Sequence, residues 1–160
     1  MLQFFLPMIP PTVTAQMHQV IARGNKPYFY DPPEVKAARE KLTAHLAKHV
    51  PEAPLDGVPI RITVKWCFDA KGKHPNGSYR ITRPDTDNLN KLLKDCMTRL
   101  GFWRDDALVA SEIIEKFWAD VPGIFIRIEV LEKVACPKGQ ASSPQANRTC
   151  SNQRFEEARR

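Results

Sequence analysis

The sequence predicts an α/β protein of the α+β kind, with a small mixed sheet of about four strands and two main helices. Three observations carry this. Ile60, Ile62, Val64, Trp66 and Phe68 alternate with Arg61, Thr63, Lys65 and Cys67, the period of a strand with one buried face. Leu89, Leu92, Leu93, Cys96, Met97 and Leu100 recur at helical spacing and stop at Gly101. Asp31-Pro32-Pro33-Glu34 has the composition of a helix start.

Taken in order, residues 2–9 are apolar and β-favouring, and Pro10-Pro11 ends that strand. The stretch 13–30 is a hairpin or an extended loop, with Gly24-Asn25 as its turn signal. Within it, Arg23, Lys26, Tyr28 and Tyr30 can touch a nucleic-acid strand by charge and stacking, or the aromatics can simply pack on the core. The first helix follows, capped by Asp31, with Val35, Ala38, Leu42, Leu46 and then His49 or Val50 on its apolar face. His45 and His49 lie one turn apart but have no third ligand near them in sequence. After the strand at 58–68 comes a loop, 69–80, flexible by composition and carrying Lys71, Lys73 and Arg80, with Arg83 just beyond. The second helix starts after Pro84, with Thr86 or Asp85 as its N-cap and Asp87 in the first turn. Phe102-Trp103 closes the core end and Arg104-Asp105-Asp106 forms a tight turn. Strands at 107–118, with imperfect alternation, and 124–130 are expected to form an antiparallel hairpin around the turn at 120–123.

The chain of 160 residues suits one domain over 1–133 and a disordered tail over 134–160, where Pro, Gly, Ser, Gln and Arg replace any periodic pattern. At 42% hydrophobic and 26% charged residues the composition is that of a soluble globular protein. The net charge of +6 favours an anionic partner, nucleic acid first. The tail holds five Lys and Arg against two Glu and so contributes half of that charge. Cys67, Cys96, Cys136 and Cys150 form no C-x-x-C pair, which fits free thiols in a reducing cytoplasm. The opening residues lack the basic flank of a secretory leader, and no run approaches the roughly 20 apolar residues a membrane span requires.

The residues with chemistry to offer cluster in Arg83-Pro84-Asp85-Thr86-Asp87-Asn88-Leu89-Asn90-Lys91 and in Asp105-Asp106. Asp85 and Asp87 stand two apart at a helix start, and the end of that helix can bring Asp105 or Asp106 back towards them. Oxygen ligands without His or Cys suit Mg²⁺ or Mn²⁺, and a divalent cation relieves the mutual repulsion of close carboxylates. Lys91, one turn after Asp87, is placed to neutralise charge on a phosphate. The basic loop just before these acids supplies cations for a polyanion. An ordinary alternative exists for every part: D-x-D caps helices, Asp-Asp makes turns, and Asp and Lys at i,i+4 form surface ion pairs.

The string Asp85-Thr86-Asp87-Asn88-Leu89-Asn90-Lys91, followed by Gly101-Phe102-Trp103-Arg104-Asp105-Asp106-Ala107-Leu108-Val109, resembles the RusA family of Holliday junction resolvases. The resemblance extends more loosely over residues 4–133. It implies a homodimeric endonuclease that resolves four-way DNA junctions by paired symmetric nicks with Mg²⁺ or Mn²⁺, bacterial or phage-encoded. It carries over Asp85, Asp87 and Asp106 as metal-binding carboxylates, Lys91 as the catalytic lysine, and Lys71, Lys73, Arg80 and Arg83 as DNA contacts. Asp105 is left as a turn or supporting acid. The chain departs from the family in a longer basic loop, in Pro84 and in its tail. Two other readings stand beside it: a non-catalytic dimer that binds branched DNA, and a metal nuclease acting on flaps or single strands.

Overall fold

A computed structural model describes residues 1–13, 19–23, 26–30 and 32–132, with backbone only for 19–23 and 26–30. The turn at 24–25, Asp31, the side chains of Arg23, Lys26, Tyr28 and Tyr30, and the tail lie outside the described residues.

Strands β1 (Leu2–Leu6), β4 (Ile60–Asp69), β5 (Val109–Ala119) and β6 (Gly123–Val130) form one sheet in the order β1-β6-β4-β5. β2 (Gln19–Arg23) and β3 (Lys26–Tyr30) pair antiparallel as a separate hairpin, so the hairpin alternative for this stretch holds. The helices are α1 (Pro33–Leu46) and α2 (Thr86–Leu100). α1 begins one residue later than expected, with Pro32 and not Asp31 at the cap. It buries Val35, Ala38, Leu42 and Leu46 as the pattern foretold. Ala47–His49 continue as a 3-10 turn, and the His49 ring stacks on Phe4 at 4.2 Å, which gives it a packing role.

One expectation about the sheet fails. β5 and β6 do not form a hairpin, because β4 lies between them, parallel to β5 and antiparallel to β6. β4 is the most buried strand, and placing it centrally covers the row Ile60, Ile62, Val64, Trp66 and Phe68 with neighbours on both sides. Residues 120–122 need only pass the end of β4, a span of two inter-strand spacings or roughly 10 Å, which a three-residue link reaches easily. The connection from β4 to β5 is instead the long one, through the basic loop and α2, as a parallel pair requires.

Both helices contact each other and share one core cluster with β1, β4 and β6, so they cover the same face of the sheet. Fully burying a Leu or Ile contributes about 1.5–3 kcal/mol, and Leu42, Leu46, Leu92, Leu93, Ile124 and Ile126 are almost wholly buried here. α2 ends where the sequence indicates. Gly101 takes φ 84°, its N–H bonds to Thr98 O at 3.1 Å, and Phe102 N bonds to Met97 O at 3.1 Å. This turn drives Phe102 and Trp103 into the core, where Trp103 Nε1 donates to Thr98 Oγ1 at 2.7 Å.

Candidate active site

α2 and β5 are joined by the short 3-10 turn Asp106–Leu108, and together they bound a cleft of about 370 Å³. Its lining holds Asp87, Asn90, Lys91, Lys94 and Asp95 from α2, with Asp106, Glu112 and Ile114 from the returning chain. Three of the expected site residues, Asp87, Lys91 and Asp106, thus share one cleft. Asp85 does not line it. The cleft is elongated: Asp87 and Asp95 lie eight residues apart along α2, about 12 Å at the helical rise. Among the described residues no three His, Cys, Asp or Glu side chains are grouped so as to hold a metal ion together.

Asp85 occupies the N-cap position of α2 with φ −74° and ψ 152°, yet its side chain makes no capping bond. Asp87 and Lys91 form no ion pair. Asp105, in contrast, acts as a cap, its Oδ1 accepting from Ala107 N at 2.8 Å. The adjacent acids have therefore separated. Asp105 fastens the turn, and Asp106 presents an exposed carboxylate with no side-chain partner among the described residues.

Sequence reasoning missed the group that braces the cleft. Glu112 accepts from Asn90 Nδ2 at 2.7 Å and from the Lys94 ammonium, tying β5 to α2 across the floor. The register aligns Glu112, Ile114, Lys116 and Trp118 of β5 with Ile62, Val64, Trp66 and Phe68 of β4, on the face that the helices cover. Two of those four core-side positions carry charge, and this is why the alternation of β5 looked imperfect. Lys116 uses its charge to hold the approach to α2: Nζ donates to Thr82 O at 2.9 Å and to Pro84 O at 2.7 Å.

The loop 69–80, expected to be flexible, is laid along the outer edge of β5. Gly77 N bonds to Trp118 O at 2.8 Å, Trp118 N to Ser78 O at 2.9 Å and Arg80 N to Lys116 O at 2.9 Å, while His74 stacks on Trp118 at 4.1 Å. The backbone groups of an exposed edge strand find partners in this way. Arg80 is drawn into the packing, with its guanidinium 3.9 Å from the Phe68 ring centroid and 4.8 Å from that of Trp118. Burial pushes its pKa down from the usual arginine value. Its Nη2 also donates to Arg83 O at 2.5 Å. Lys71, Lys73 and Arg83 remain exposed.

The donors of the cleft suit a hard divalent cation. The lining offers four carboxylates against two ammonium groups, and a negative cleft of this kind repels a phosphate unless a cation stands between them. Asn90 Oδ1 is buried without a hydrogen-bond partner, an additional oxygen of the right kind. Magnesium is commonly held by only one or two carboxylates, with waters and substrate phosphates completing the shell, so Asp87 and Asp106 need no third acid beside them.

Comparison with known proteins bears on the whole of this arrangement. The family model described as Endodeoxyribonuclease RusA matches residues 9–129. The chain belongs to the RusA family. Its similarity to the crossover junction endodeoxyribonuclease rusA of Lactococcus phage r1t is 35% identity over 69 residues, 42% of this chain and 53% of that protein. The chain thus spans about half the length of that RusA relative. The uncharacterized protein YqaN of Bacillus subtilis (strain 168) is 28% identical over 120 residues, 68% of this chain and 80% of its own length. The RusA match contains α2, the cleft, the basic loop and both halves of the acidic motif. Among the described residues no helix is long and apolar enough to cross a membrane.

Proposed function

We propose that this RusA-family chain is a divalent-metal-dependent endodeoxyribonuclease that resolves four-way DNA junctions by paired, symmetric nicks, acting as a homodimer. The observation that carries the reading is the cleft itself, where Asp87, Lys91 and Asp106 converge without being spent on caps or ion pairs. The symmetry of the product supports the dimer, since two equal nicks across a four-way junction call for two sites related by a two-fold axis.

Asp87 and Asp106 would hold Mg²⁺ or Mn²⁺ from the two walls of the cleft, and Asp85, outside the cleft lining at the start of α2 and making no capping bond, would be a further carboxylate beyond the two the ion requires. The bound ion supplies Lewis-acid polarisation of the phosphoryl oxygens. Lys91 directs its ammonium at the same phosphate and offsets the charge that grows on its oxygens during attack. Glu112 keeps Asn90 and Lys94 in place below. Lys71, Lys73 and Arg83 are the cations left free to grip the DNA backbone, and Arg80 acts from behind by holding their loop against β5.

Purified full-length protein incubated with a synthetic four-way junction and Mg²⁺ should give nicks at symmetry-related positions in opposite strands. Asp87→Asn should lower cutting by about a hundredfold or more while junction binding in a gel-shift assay persists. A variant that cuts as fast as the parent would overturn the assignment. Cutting of flaps or single strands in preference to junctions would redirect it to the other nuclease reading.

A further inference from the structure

Ile81 is 93% exposed, more than any other large hydrophobic side chain described. A single exposed aliphatic residue is ordinary on a protein surface and decides nothing alone. Its mounting is what sets it apart. Arg80, just before it, donates through Nε to Thr82 Oγ1 at 3.0 Å and through Nη2 to Arg83 O, bridging over Ile81 while its own guanidinium packs on Phe68 and Trp118. On the other side, Lys116 Nζ holds Thr82 O and Pro84 O. The backbone on both flanks is thereby tied to β5, and the isoleucine is held away from the core.

The surroundings point to the kind of surface it meets. Exposed cations stand at Lys71 and Lys73 in the same loop and at Arg83 two residues on. Asp85 follows four residues after Ile81. Four residues of fully extended chain reach at most about 14 Å, and base pairs advance about 3.4 Å each along a strand, so the backbone at Ile81 is within about four base steps of Asp85 at the start of α2.

We infer that Ile81 is a wedge that enters the DNA between bases at the branch point, close to the phosphate that is cut. The inference rests on the junction-resolving reading given above. Aliphatic side chains carried among basic residues are known to insert between base steps, at the expense of stacking. In continuous duplex that expense opposes entry. At a branch point the stack is already interrupted and the same insertion meets little resistance. Ile81 thus favours branched over linear DNA, a preference that phosphate contacts alone do not provide.

The test places 2-aminopurine at single positions within four nucleotides of the exchange point of a synthetic four-way junction, read with full-length protein in EDTA so that the strands stay intact. Wild-type protein should raise the fluorescence severalfold at one of these positions, the mark of an unstacked base. Ile81→Asn should remove that rise and reduce the preference for junction over duplex about tenfold, and Ile81→Leu should keep both. Equal fluorescence with wild-type protein and Ile81→Asn overturns the proposal, as does a wild-type protein that binds and nicks the junction without any rise. If Ile81→Asn changes the sedimentation of the free protein but leaves the fluorescence intact, the residue belongs to a protein contact and the wedge is refuted. A wild-type protein that neither binds nor cuts junctions defeats the parent reading as well, which separates the two failures.

Discussion

Asp105 and Asp106 are adjacent in the chain and oppositely employed, so substituting them singly separates stability from activity. Asp105 Oδ1 accepts from Ala107 N at 2.8 Å, and Asp105→Ala removes this cap at the start of the 3-10 turn. Loss of an N-cap acceptor costs about 1 kcal/mol. For a domain of this size that corresponds to a fall of about 4 °C in Tm. Asp105→Asn keeps an oxygen in the same place and should melt within about 1 °C of the parent. Asp106→Asn should also leave the melting point nearly unchanged, because its exposed side chain has no partner among the described residues to lose. Its effect falls on cutting, lowered about a hundredfold or more through loss of a carboxylate in the cleft. Differential scanning calorimetry and a junction-nicking time course on the three variants give the comparison. An inactive Asp105→Ala with an unchanged melting point, or an Asp106→Asn that cuts normally, would refute this division of roles.

Two further substitutions probe the frame of the site. A Cβ at Gly123 would stand 2.1 Å from Phe5 Cζ and 2.7 Å from Leu6 O, and the second contact is backbone of the paired strand β1 that cannot rotate aside. Gly123→Ala should therefore destabilise by about 1–3 kcal/mol, read as a lower urea midpoint. Lys116→Met keeps the stem of the side chain and removes the donor to Thr82 O and Pro84 O. Water can replace that donor at exposed Thr82 more readily than at buried Pro84, so a loss of about 1–2 kcal/mol is expected, accompanied by faster proteolysis around residue 81.

What the sequence disclosed and what it withheld follow from the range of each interaction. Helical spacing, the cap position at Asp85 and the stop at Gly101 are local properties, and α2 forms where they indicate. The alternation in β4 likewise reported its one buried face. Strand order depends on partners distant in sequence, and the short link at 120–122 suggested a hairpin that β4 in fact interrupts. The 69–80 loop has the composition of a mobile segment, but its order comes from the open edge of β5, which no local pattern announces. That Asp87, Lys91 and Asp106 belong together was legible because their spacing follows a family motif, and the three line one cleft. Glu112 and Lys116 were not, although both appeared in the sequence as charges breaking the apolar rhythm of β5. Such breaks tend to fall at functional sites, where local consistency is given up for chemistry.

The order of the strands also governs when the molecule can be finished during synthesis. β1 is the first of the described strands to be made and pairs with β6, about 120 residues later, so its ladder stays open until β6 has been made. The segment from β4 through β6 contains the cleft, the basic loop and every residue proposed to act on DNA. Its parallel pair and central strand draw only on neighbours within that segment. The last of the described strands to emerge, β6, supplies the antiparallel partner for β4 and the docking edge for β1 at the same moment. Truncation a few residues short of the end of β6 would therefore strip support from the edge strand β1 and the central strand β4 at once, in the sheet whose core also holds α2.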